Sequence, residues 1–376
     1  MLYHHDSASY EAAATEAETR ARSKMEEILE RGREKAKMAI EGIAEEFNSR
    51  ADMLVPTNAV RYEIDPGAAT ASQIRIFLGE RPFNLTDHAL GQTLARMGMP
   101  KAYLDRLRRI DEPWANELLL GSMKRLIDHS VGVDRLLFRA VGNTVKGVLS
   151  SAYRRSLDAS PIIQVFMEEG IKAGLVPVDG LNTETRFHVK LIYDRLYSPA
   201  PHEVIAFGFS LTTSDYGAGA LQIQFFLMRL WCTNFAIGEN CMREIHIGRR
   251  FKTEDELVLS QQTYDLDTKT VASAVKDIIA DGIERRAGAV CELIKNANEK
   301  KIDVKGALES FRKRGVITKE QGRTAEALYE NVNDVTFLPP ERSAWRLSNV
   351  LSLMAQGQAG DRKLDLEEAA MELVSA

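Results

Sequence analysis

The sequence predicts an α+β fold: a central, mostly antiparallel sheet with flanking helices, a long N-terminal helical arm and a helical C-terminal region. Three observations carry that expectation. Apolar residues recur at helical spacing before residue 56 and again after residue 253. Between those stretches the period shortens to two, as in Arg186-Phe187-His188-Val189-Lys190-Leu191, where apolar and polar side chains alternate strictly. Strands grouped in the middle with helices at both ends describe an α+β chain, whereas a doubly wound parallel fold would interleave them. The expected division is an arm over 1–55, a core domain over 56–252 and a helical region over 253–376.

Taken in order, residues 8–47 are rich in Ala, Glu, Arg and Lys, with a thin apolar stripe through Met25, Ile28, Leu29, Met38, Ile40, Ile43 and Phe47. A helix with so little to bury needs a partner, either a neighbouring molecule or the body of its own chain. Pro56 is expected to end it. The Asp65-Pro66-Gly67 turn then separates two extended runs, Val60 to Ile64 and Gln73 to Leu78. Thr86 fits the N-cap of a helix from Asp87 to Met97, which breaks at Gly98-Met99-Pro100 before a second helix over Lys101 to Arg109. That pair has the outline of a helix-turn-helix, whose second helix would offer Lys101, Tyr103, Arg106, Arg108 and Arg109.

From Asp134 the strand period dominates. Phe187, Val189, Leu191 and Tyr193 should share one face, and Arg186, His188 and Lys190 the other. Further strands are expected over Val204 to Leu211 and Leu221 to Trp231, with Ile245 and Ile247 marking another. Between them, Ser160-Pro161 opens a helix to about Ala173 with Pro at its first position. Thr212 to Gly217 reads as a tight connection in which Gly supplies positive φ and Asp215 closes an Asx-turn. The helical period returns over 254–298, and shorter helices follow at 303–314, 318–331, 341–356 and 363–374.

Composition narrows the class. The chain has 376 residues, and its 49 Lys and Arg against 54 Asp and Glu exclude a generally basic protein. No apolar run reaches the roughly 18 to 20 residues of a membrane span, so no membrane partner is expected. Three dispersed Cys, with neither a basic nor an apolar leader over Met1 to Glu18, make a reducing cytoplasm the expected location. Charge is unevenly spread: net −4 over 1–55, 0 over 56–120, +3 over 121–250 and −4 over 251–376. Arg135, Arg139, Lys146, Arg154 and Arg155 occur without one acidic residue between 135 and 155, and Arg243, Arg249, Arg250 and Lys252 stand against Glu244 alone.

Catalytic motifs are scarce. There is no G-x-x-x-x-G-K-[ST] phosphate loop, no G-x-S-x-G elbow and no H-E-x-x-H helix. Gly217-Ala218-Gly219 supplies two of three glycines of a dinucleotide fingerprint, but a strand follows where a helix should start. Cys232, Cys241 and His246 could give three zinc ligands, in a spacing that matches no strong zinc pattern. The expectation is therefore a non-enzymatic protein without cofactor or metal. The basic stretches and their interleaved rings point instead to nucleic acid, chiefly a single strand held along a groove on the sheet. Arg139, Lys146, Arg154, Arg155, Arg249 and Arg250 would contact phosphate, with Lys190 and Arg243 as additions and Tyr153 as the stacking ring.

Three blocks resemble one family, the phage/plasmid-like proteins classed as domain of unknown function 932. The first runs from Phe83-Asn84-Leu85-Thr86-Asp87-His88-Ala89-Leu90 through Leu94-Ala95-Arg96-Met97-Gly98-Met99-Pro100 to Tyr103-Leu104. The second joins Arg139-Ala140-Val141 to Val145-Lys146-Gly147-Val148-Leu149-Ser150-Ser151-Ala152-Tyr153-Arg154. The third spans Ser214-Asp215-Tyr216-Gly217-Ala218-Gly219-Ala220-Leu221, Arg229-Leu230-Trp231-Cys232-Thr233-Asn234 and His246-Ile247-Gly248-Arg249. Ala344-Trp345-Arg346-Leu347-Ser348-Asn349-Val350 is similar to a Trp-Asn helix motif often seen near the end of such chains. Phe235 stands where the family commonly has Gly, and the helix before residue 56 has no counterpart in it. The resemblance implies a phage or mobile-element context, in which proteins often serve recombination or replication, for example in strand annealing. The expected partners are a single-stranded nucleic acid and further copies of the chain. The alternatives are a structural or host-interaction protein assembling through its N-terminal helix, and a helix-turn-helix regulator.

Overall fold

The computed structural model describes residues 7–64, 74–110, 112–129, 135–151, 157–197, 204–229, 234–244, 260–280, 283–331 and 341–375, together with Tyr153, Pro199, Leu338 and Pro339. The α+β class holds, but the strands form two sheets where a single central one is expected. Helix α1 (Ser7–Ser49) leads into β1 (Arg50–Pro56), then β2 (Val60–Ile64), β3 (Ile74–Leu78) and β4 (Arg81–Leu85). Helices α2 (Asp87–Arg96), α3 (Lys101–Ile110) and α4 (Pro113–Asp128) follow, and the hairpin of β5 (Arg135–Val141) and β6 (Thr144–Ser150) completes the first sheet. Its order is β1-β5-β6-β4-β3-β2, antiparallel except for the short parallel pair of β4 with β6.

The first helix ends seven residues before Pro56. Arg50 to Pro56 pair antiparallel with β5, from Arg50 opposite Val141 to Pro56 opposite Arg135. Strand pairing beats helix continuation here because β1 is an edge strand, where a terminal proline costs no ladder bond, and because Arg50 and Asp52 are held by partners inside the protein. Strand β1 thereby straddles the expected boundary at residue 55.

Helix α5 (Ala159–Lys172) precedes the second sheet, with Asp158 at its N-cap position, so Pro161 falls at the third helical residue and not the first. Strands β7 (Leu175–Asn182), β8 (Phe187–Tyr193), β9 (Ile205–Thr213), β10 (Leu221–Arg229) and β11 (Asn234–Glu244) then form an antiparallel meander in the order β11-β10-β9-β8-β7. The C-terminal helices are α6 (Gln261–Ala280), α7 (Ile283–Glu299), α8 (Val304–Lys313), α9 (Lys319–Glu330), α10 (Ala344–Gln356) and α11 (Asp361–Ser375). None of the described helices is long and apolar enough to cross a membrane. The Asp65-Pro66-Gly67 turn and the extended segment expected at Ile245 and Ile247 lie outside the described residues.

Alternation in β8 predicts one wet face, yet every residue from Phe187 to Ile192 is buried. The reason is that helices cover both sides. Phe187, Val189 and Leu191 join the main core with Phe207, Phe209 and Phe225, whose rings stack or meet edge to face. On the other side Ile192, Ala206, Phe226 and Met228 cluster with Met25 and Ile28 of α1. The long helix therefore finds its partner in its own chain.

Two glycines let α1 lie close. A Cβ on Gly32 would sit 2.1 Å from the Val178 carbonyl oxygen, and one on Gly180 would sit 2.5 Å from the Ala36 Cα. Backbone meets backbone at both points, so no rotamer change can make room. Gly180→Val should therefore destabilise the fold by about 2 kcal/mol or more, read by urea denaturation, through overpacking at this crossing; an unchanged midpoint would show that α1 is not held there.

Candidate nucleic-acid interface and the buried charge cluster

The acid-free run around Arg139 meets its carboxylates in space. Arg139 on β5 is fully buried and forms a bidentate pair with Asp52, Nε to Oδ1 at 2.8 Å and Nη2 to Oδ2 at 2.9 Å. The register explains this, since Asp52 lies directly opposite on β1. Its Nη1 donates to Asp158 Oδ1 at 2.8 Å and to the Asp215 carbonyl at 3.0 Å. Arg50 bridges the same two residues, with Nη2 2.5 Å from Asp158 Oδ2 and Nη1 3.1 Å from Asp215 Oδ2. Asp215 Oδ1 also accepts the Ala159 amide at the start of α5, at 2.8 Å. One cluster thus ties together the edge of the first sheet, the β9–β10 connection and a helix N-terminus.

Two guanidinium groups face three carboxylates, which leaves one surplus negative charge. Burial, followed by the repulsion of Asp158, pushes the Asp215 carboxyl up to about 7. Burial works against the charge on Arg139, but the carboxylates of Asp158, Asp52 and Asp215 outweigh it and hold its pKa well above the ordinary value. Tyr153 lies with its ring 5.2 Å from the Arg139 guanidinium, and its hydroxyl donates to the Ser214 carbonyl at 2.7 Å. Ser214, and not Asp215, closes the turn: its Oγ accepts the amides of Tyr216 and Ala218, while Gly217 takes φ +78°.

The other expected contacts are also internal. Lys146 pairs with Glu46 of α1 at 2.8 Å, and the same carboxylate accepts from the Tyr216 hydroxyl at 2.5 Å and from Asn182 Nδ2 at 3.2 Å. Lys190 is fully buried 2.5 Å from Glu367 of α11, beside Asp179, which Lys363 contacts at 2.6 Å. Burial draws the Lys190 pKa down, and burial with Lys190 nearby keeps His188 well below the usual imidazole range. The exposed groove expected from Arg139, Lys146, Tyr153 and Lys190 does not form, because carboxylates remote in sequence meet each cation and helices cover the face that carries Lys190. Arg154, Arg155, Arg249 and Arg250 lie outside the described residues, as do Cys232 and His246. Arg243 stands on β11 opposite Gln222, and Cys241 is on the same strand.

A basic surface does exist on α3. Thr86 caps α2 through its Oγ1, which accepts the Ala89 amide at 3.1 Å. The helix ends in paired bonds, Met99 N to Leu94 O at 2.9 Å and Gly98 N to Ala95 O at 3.2 Å, with Gly98 at φ +68°. This closure turns the chain in four residues into α3. Leu90, Leu94, Met99, Leu104 and Leu107 then pack with Ala115, Leu119 and Met123 of α4 in one small core. The opposite side of α3 leaves Lys101, Ala102, Tyr103, Arg106 and Arg109 exposed. Lys101 pairs with Asp105 at 3.1 Å and Arg108 with Asp87 at 3.6 Å, whereas Arg106 and Arg109 make no ion pair among the described residues. Beside Lys101 an open hollow of about 480 Å³ is lined by Asp87, His88, Gly91, Gln92 and Ala95. Helix α4 is the element that the sequence reading lacks; Pro113 at its first turn and the four-residue spacing of Ala115, Leu119 and Met123 are the signals for it.

No family model, curated protein or solved structure matches the chain.

The surplus carboxylate gives a pH signature. With its folded pKa raised from 3.8 to about 7, Asp215 contributes stability that is fully present below about pH 4 and is lost as pH rises through 7. Asp215→Asn, which cannot ionise, should flatten that fall. Urea denaturation of both proteins at several pH values between about 4 and 8 checks this, and parallel pH profiles would contradict the placement of the surplus charge.

Proposed function

We propose that the protein binds nucleic acid through α3, with α2, the four-residue turn and α3 acting as a helix-turn-helix on duplex DNA. The observation that carries this reading is the outward face of α3, where Arg106 and Arg109 are exposed and make no ion pair among the described residues, one and two helical turns on from the small Ala102. A helix of this kind can enter a major groove while its arginines reach phosphates or base edges. The interior cations cannot do this work, since Arg139 and Lys190 are committed to buried carboxylates. The family resemblance adds a phage or mobile-element setting.

Tyr103 favours a second reading. It is 38% exposed on the same helix, and an exposed ring beside arginines that make no ion pair among the described residues suits stacking on a single strand. Fluorescence anisotropy with labelled duplex and single-stranded oligonucleotides, over rising salt, separates the two. Duplex affinity should fall steeply with salt, and Arg106→Ala with Arg109→Ala should weaken it by about tenfold or more and lower the salt slope by about 2. Tyr103→Ala should chiefly reduce single-strand binding if stacking is the main mode. No binding to either form at low salt would refute the proposal.

A further inference from the structure

Helix α4 carries a face that none of the described residues covers. Trp114 is 55% and Leu118 46% exposed, and Ile110 just before the helix is 37% exposed. Tryptophan is enriched at protein interfaces, and Leu118 one turn on extends the apolar surface that Trp114 begins. On the same face lies Gly121. A mid-helix glycine costs about 1 kcal/mol relative to alanine, and among the described residues no atom beyond the neighbouring helix backbone lies within 4 Å of where its Cβ would be. Packing among the described residues therefore gives no reason for it. A surface that approaches the helix backbone from outside would.

Charge identifies that surface. From Glu117 to Arg125 the helix reads acidic before Gly121 and basic after it, with Glu117 four residues on one side and Lys124 and Arg125 three and four on the other. None of the three makes an ion pair among the described residues. In an antiparallel pair of α4 helices crossing at Gly121, Glu117 of each copy comes level with Arg125 of the other, and Leu118 comes level with Lys124, whose methylene stem can cover it. The helix is thus complementary to itself run backwards.

We propose that the chain forms a two-fold symmetric dimer through α4, with Gly121 at the crossing, Trp114 and Leu118 as apolar anchors and reciprocal Glu117–Arg125 pairs. One helix face from each copy is a small interface, so the dimer should dissociate in the micromolar range. The assignment does not depend on nucleic-acid binding. If both hold, the dimer presents two copies of α3.

Sedimentation velocity on the full chain from about 1 to 200 µM should show a monomer–dimer equilibrium. Leu118→Glu should raise the dissociation constant by about tenfold or more, while leaving unchanged the thermal midpoint of the monomer, read well below the dissociation constant, because the side chain is exposed. Glu117→Arg should likewise weaken the dimer by placing like charges together, and adding Arg125→Glu should restore it by exchanging the pair. A monomer over the whole concentration range would overturn the proposal, as would a dimer indifferent to Leu118→Glu or a Glu117→Arg defect that the second substitution leaves in place.

Discussion

Arg139 and its three aspartates are the constraint on which the rest of the arrangement depends. A fully buried guanidinium is tolerable only when each of its donors is met. The acceptors come from β1, from the N-cap position of α5 and from the β9–β10 connection. Each lies in a different part of the chain, so the charge can be satisfied only when both sheets and α5 are together. The cluster defines one arrangement at the cost of desolvating Arg50, Arg139 and the three aspartates, and burial with the repulsion of Asp158 raises the Asp215 pKa in response to the imbalance. Glu46 extends the same logic to α1, joining Lys146 of the first sheet to Tyr216 and Asn182 of the second.

This organisation divides the cations into two populations. Among those described in the middle segment, which local counting makes the most basic part of the chain, Arg139, Lys146 and Lys190 are drawn inside and neutralised, while Lys124, Arg125, Arg135, Lys172 and Arg195 stand exposed. Those of α3 are ordinary in number but stand on a surface. Net charge along the sequence is thus a poor guide to potential in space, since a carboxylate 177 residues away in sequence, Glu367, neutralises Lys190. The candidate interface follows from which side of α3 faces the three-helix core, a matter of apolar spacing more than of charge.

Much of the fold is legible in the sequence where local physics decides it. The Thr86 cap, the Gly98 stop, the Lys101 to Arg109 helix and the β8 and β10 strands all follow from propensity, capping and period. The misreadings share one cause, which is that tertiary partners override local pattern. Helix α1 stops at Ser49 because β5 offers Arg50 to Pro56 a ladder. The polar side of β8 is buried because α11 supplies Glu367 to Lys190. Asp215 leaves its turn to Ser214 because Arg50 and a helix amide compete for its carboxylate. The outward residues of α3 are visible in the sequence as a helix-turn-helix outline, whereas their contrast with the buried cations emerges only in three dimensions.

The central claim is that the Arg139 cluster is a structural lock and not a binding surface. A double-mutant cycle between Arg139→Met and Asp158→Asn, measured by urea denaturation, tests it most directly. Partners in a buried, hydrogen-bonded charge cluster should show a coupling energy of about 2 kcal/mol or more, with each single variant strongly destabilised. Additive effects within about 0.5 kcal/mol would contradict the lock and reopen Arg139 as a residue free to meet a ligand.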